Sequence, residues 1–69
     1  MPLTLAPLGE EQIIKKVGGS PELKAHLRDM GFVTGGGVTV ISTIGGSLIV
    51  SVKDARIAIS REMASRIIV

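Results

Sequence analysis

The chain has 69 residues, with eight Lys and Arg, six Asp and Glu, one His, one Phe and no Cys, Tyr or Trp. That length supports one small domain, 1–69, and excludes two, while the missing cysteines exclude disulfide staples, zinc–thiolate and iron–sulfur centres and thiol nucleophiles. The formal charge of +2 is a mild excess that demands no acidic partner, and a chain with a single aromatic residue lacks the stacking platforms on which single-stranded nucleic acids are held.

Met1 and Pro2 lead into a short apolar run without the basic region of a signal peptide, ended by Gly9, Glu10 and Glu11. No segment approaches the roughly 20 apolar residues that span a bilayer. A soluble, cytoplasmic protein with no direct membrane insertion is expected.

After the turn-like Pro7-Leu8-Gly9, the stretch EEQIIKKVGG reads as one first strand carrying Ile13, Ile14 and Val17, ended by Gly18-Gly19. Ser20, Pro21 and Glu22 form a helix start: a hydroxyl cap, a proline at the first helical position and an acid in the first turn. Leu23, Leu27 and Met30 make one apolar stripe, and Gly31 falls where a left-handed helix end belongs. From Val38 the period changes to 2, placing Val38 and Val40 on one face and Thr39 and Ile41 on the other. Gly45-Gly46-Ser47 turns the chain into a strand with Leu48, Val50 and Val52 inward and Ile49, Ser51 and Lys53 outward. Lys53-Asp54-Ala55 is a second tight connection, followed by a strand with Ile57 and Ile59 inward. Ser60 caps one helical turn, REMAS, and RIIV is a terminal strand. Five short strands with one helix and a helical turn, in so short a chain, predict a small closed barrel whose last strand pairs near the first.

The glycine triplet Gly35-Gly36-Gly37 follows a helix and precedes a strand. Phosphate-binding glycines lead from a strand into a helix N-terminus, so this order favours a hinge. His26 is the only histidine, with Glu22 its one acidic neighbour on that helix face, too few ligands for a metal centre. Met30, Phe32 and Met63 read as packing residues. The cations Lys15, Lys16, Lys24, Arg28, Lys53, Arg56, Arg61 and Arg66 are spread over every element, as on a solvated surface. No nucleophile, base and orienting group can be assembled, so neither an enzyme nor any catalytic, cofactor or metal residue is expected.

Ile41, Ile44 and Ile49 lie on or beside the outer face, next to Gly45 and Gly46, and these five residues are the candidate partner-binding set. An interaction patch and a face covered by the helix or the N-terminal leader both remain open.

The run LRDMGFVTGGGVTVISTIGGSLIVSVKDARIAISREMASRIIV, with PLTLAPLGEEQIIKKVGG before it, resembles the FeoA family. Met30-Gly31-Phe32, Gly35, Gly45-Gly46, Arg61, Ala64 and Ile67 stand in that family's order and separations. Two departures are Thr34-Gly35, where the family often shows Pro-Gly, and Thr43-Ile44-Gly45, where many members have Pro-Leu-Gly. The resemblance implies a mainly β, SH3-like barrel. It also implies a cytosolic accessory protein of ferrous iron uptake that binds the cytoplasmic GTPase region of the FeoB permease. The alternatives are a regulatory SH3-like domain related to the C-terminal domain of metal-dependent repressors and a weak transition-metal-binding protein. Binding to nucleic acid is not expected, and weak homo-oligomerisation is left open.

Overall fold

The computed structural model describes all residues, 1–69. Helix α1 (Pro21–Asp29) starts as its sequence dictates: the Ser20 Oγ accepts the Leu23 N–H at 3.2 Å, satisfying an amide that has no partner within the helix. It ends at Gly31, whose φ of +105° lets the chain reverse. There the Gly31 N–H donates to the Arg28 carbonyl at 2.9 Å and the Phe32 N–H to the Leu27 carbonyl at 3.0 Å. This crossed pair is a Schellman closure, and it carries Phe32 into the core, where it is 1% exposed. Met30 packs against the same core, half-buried.

The period-2 segments form an antiparallel meander of β3 (Gly37–Ile44), β4 (Ser47–Val52) and β5 (Ala55–Ser60). Val38 faces Val52, Val40 faces Val50, Val50 faces Ile57, and Leu48 faces Ile59. Directly opposed residues share a sheet face, so the expected inward set is one continuous apolar surface, with Ile57 at its half-buried margin. The β4–β5 turn puts both Lys53 (φ 48°) and Asp54 (φ 64°) in the left-handed region, as a two-residue type I′ hairpin requires.

The first strand is two strands rather than the single one the pattern suggests. β1 (Glu11–Ile13) pairs with β3 and completes the sheet order β1-β3-β4-β5, whereas β2 (Lys16–Val17) pairs with β6 (Ile67–Ile68). The change of sheet takes one step: the Ile14 N–H bonds the Gly36 carbonyl at 2.9 Å, and the next amide, Lys15, bonds the Ile68 carbonyl at 2.7 Å. Such a corner passes the chain from one sheet to the other, and because successive residues of an extended segment point to opposite faces, Ile13 goes to solvent and Ile14 into the core. The expected pairing of the last strand with the first segment is thus made by β2 and β6.

Helix α2 (Arg61–Ser65) links β5 to β6 and is capped by the Ser60 Oγ, which accepts the Met63 N–H at 3.1 Å. The leader contributes more than its pattern signals. Pro2 bridges to Ile68, a 3-10 turn spans Leu3–Leu5, and Leu3 is fully buried in a core of thirteen residues. No helix is long and apolar enough to cross a membrane.

Candidate functional site

The β3–β4 hairpin ends in a two-residue turn, Gly45-Gly46, with Gly45 at φ +56°. A Cβ placed on either glycine would meet nothing within 4 Å, so another chain can approach this backbone closely. Ile44 is the last residue of β3, opposite Ser47, and is 65% exposed. Ile49 lies on the same outer face, between Ser42 on β3 and Ala58 on β5; these small neighbours leave it half-buried.

Ile41 is placed differently from the simple alternation. The register jumps between Val40 and Ser42, so Ile41 is the extra residue of a β-bulge and Ser42, not Ile41, stands opposite Ile49. The leader reaches this bulge, where the Gly9 N–H donates to the Val40 carbonyl at 2.8 Å. It leaves Ile41 at the edge of exposure, and Ile44 open. Leu5 and Leu8, both exposed, belong to that leader and drew no attention in the sequence, because isolated leucines in a loop carry no periodic signal.

The glycine triplet gathers no amides around an anion. Gly35, at φ +88°, is the third residue of a turn closed by the Gly36 N–H on the Val33 carbonyl at 3.0 Å, and its own N–H donates to the Ile14 carbonyl at 2.8 Å. Its role is to bring the strand after α1 alongside the segment that changes sheet. His26 is exposed on α1, and no group of three His, Cys, Asp or Glu side chains converges anywhere in the chain.

The cations are not simply scattered. Lys15 and Lys16 from the β1–β2 segment and Lys24 and Arg28 from α1 line one open groove of about 450 Å³. Its remaining lining is Val17, Phe32, Val33 and Thr34, and no acid is among them. The sequence conceals this because the two pairs sit on different elements. Gly18 and Gly19, the latter at φ +104°, turn β2 directly into α1 and bring them together. The signal that could have been used is the i, i+4 spacing of Lys24 and Arg28 on one helix face.

Six short antiparallel strands in two sheets, two serine-capped helices, no convergent metal-ligand group and an open glycine hairpin define a small mainly β, SH3-like module. The chain belongs to the FeoA family: the FeoA domain model matches residues 1–69. It is 38% identical over 68 residues to a Methanocaldococcus jannaschii protein provisionally named Fe(2+) transport protein A, covering 99% of this chain and 83% of that one. Its fold superposes on the crystal structure of an iron uptake regulatory protein (FeoA) with a TM-score of 0.88 at 26% identity, covering 97% of this chain and 91% of that one. A zinc complex of Stenotrophomonas maltophilia FeoA gives a TM-score of 0.85 at 27% identity, with 99% and 87% covered. That protein is described as a prokaryotic SH3 domain protein and a candidate ferrous iron transport activating factor.

Proposed function

We propose that this protein is an accessory factor of ferrous iron uptake, without chemistry of its own, that docks on the cytoplasmic GTPase region of a FeoB-type permease. Membership of the FeoA family and relatives named for Fe(2+) transport support the iron-uptake role. The observation that carries the docking reading is the hairpin tip: a 65% exposed Ile44 beside two glycines whose backbone is open to approach. Such a tip offers an apolar side chain to a partner's pocket while its backbone comes into contact at little steric cost. Ile41, Ile44, Gly45, Gly46 and Ile49 form the proposed contact, with Ile44 at its centre and Ile41 at the bulged edge. The cytoplasm is the compartment this reading requires.

The test is a titration of the permease's cytoplasmic domain with wild type, Ile44→Glu and Ile49→Glu, in each nucleotide state. A charge buried at an interface without a partner is costly, so both isoleucine variants are expected to stay folded and lose binding. Folded Ile44→Glu and Ile49→Glu variants that bind as wild type does would discard the patch. Absence of wild-type affinity in every nucleotide state would discard direct docking.

A further inference from the structure

We infer that the groove between β2 and α1 is a second docking surface, built for an extended acidic segment of a partner protein that carries an apolar anchor residue. It shares no residue with the hairpin tip, and it does not rest on the proposed permease contact. Half of the chain's eight cations line this one groove, so the side chains elsewhere comprise four cations and six acids. The positive field is therefore local, over a molecule whose remaining surface is net negative.

The arrangement has a cost in the free protein. Lys24 and Arg28 are like charges one helical turn apart, and Lys15 and Lys16 are neighbours in sequence on the same groove, with no lining acid to offset them. The helix dipole accounts for a cation at Arg28, in the last turn of α1, but not for Lys24 or for the pair on the other element. An acidic occupant would relieve this repulsion.

Three features favour an extended polypeptide among anionic occupants. The groove is concave, and its accessible apolar lining is the half-buried Val17 and Val33, with Phe32 buried beneath them, which suits an apolar side chain between flanking acids and does not suit a flat lipid surface. Its charges are long flexible side chains spread along it, without the convergent amides of a helix N-terminus that hold a phosphate. β2 has β6 as its sole strand neighbour, and Val17 on β2 lines the groove, so an unpaired strand edge is available to an added main chain.

The test uses fluorescence anisotropy of a fluorescein-labelled octapeptide of alternating Glu and Leu, titrated with the full chain at low and physiological salt. The octapeptide is expected to saturate, and the Lys24→Glu/Arg28→Glu double variant to bind at least about tenfold more weakly. Arg56→Glu/Arg61→Glu, which changes net charge equally but lies outside the groove, should bind nearly as wild type, and circular dichroism confirms that both variants are folded. Equal weakening by the two double variants would reduce the effect to net charge and overturn the proposal. It would equally be overturned if the octapeptide failed to bind, or if pyrophosphate or phosphatidylserine vesicles bound through these residues and the octapeptide did not.

Discussion

The Ile14 amide donates to the Gly36 carbonyl at 2.9 Å, while the Ile14 carbonyl accepts from the preceding glycine, Gly35, at 2.8 Å. The triplet is thus the hydrogen-bonding mate of the residue at which the chain leaves one sheet for the other. Its members are not equivalent. Gly35 has a positive φ, whereas a Cβ at Gly37 would meet only the flexible end of Glu11, with Oε2 at 2.5 Å. Gly35→Ala is expected to cost about 1 kcal/mol, a fall of about 4–8 °C in Tm for a domain of this size. Gly37→Ala should cost less than half as much, because Glu11 can swing away. Equal losses in thermal unfolding would contradict this division.

Thr34 precedes Gly35 in the turn closed by Gly36 on Val33, in the position where a proline presets the backbone. Its amide is not among the turn and loop donors, so a proline there forfeits no such bond. Thr34→Pro is expected to stabilise the fold by about 0.4–1 kcal/mol, mainly by restricting the unfolded chain. Urea denaturation reads this directly, and a lowered midpoint would mean that Val33 does not tolerate the restriction proline imposes on it.

The Lys53-Asp54 turn holds two non-glycine residues in the left-handed region. Asp54→Gly should therefore raise stability by about 0.5–1 kcal/mol, measured by denaturant midpoint. Lys53→Gly should gain less. The Lys53 stem lies across Gly31, with Cδ 3.4 Å and Cγ 3.5 Å from where a Cβ would stand, so its removal uncovers the end of α1.

Core and patch should separate cleanly. Val50 is fully buried at the centre of the meander, so Val50→Ala is expected to cost about 2 kcal/mol and Val50→Glu to prevent folding. Ile44→Ser, at an exposed tip, should change stability by no more than about 0.5 kcal/mol. If Ile44→Ser destabilised as strongly as Val50→Ala, Ile44 would be a packing residue.

Local rules were legible wherever one element decides its own geometry. Ser20, Pro21 and Gly31 marked both ends of α1, and the alternation at Val38, Val40, Leu48, Val50 and Val52 marked the inner face before any pairing was known. What escaped depends on pairing. Nothing in IIKK announces that Ile14 and Lys15 bond to different sheets, since that follows from where β6 arrives. The bulge at Ile41 is a two-against-one register between strands, invisible along either strand alone. The basic groove was missed for the same reason: its pairs of cations belong to separate elements, and only the turn through Gly18 and Gly19 makes them neighbours. Of the proposed patch, the glycine hairpin was readable, while the differing exposure of Ile41, Ile44 and Ile49 was not.

The one-residue change of sheet at Ile14 and Lys15 also bears on the order in which the molecule is expected to assemble. The β3–β4–β5 meander forms by short hairpins whose loop-closure cost is small. Joining Lys16 to Ile68 and Val17 to Ile67 requires opposite ends of the chain to meet, for a pairing two residues long that also brings Ile67 and Val69 into the core. The seam is therefore expected to close last and open first, so native-state hydrogen exchange should find the β2 and β6 amides opening before those of the meander. Because Lys16 and Val17 also line the basic groove, an occupant bound there would grip the wall that is otherwise the first to let go.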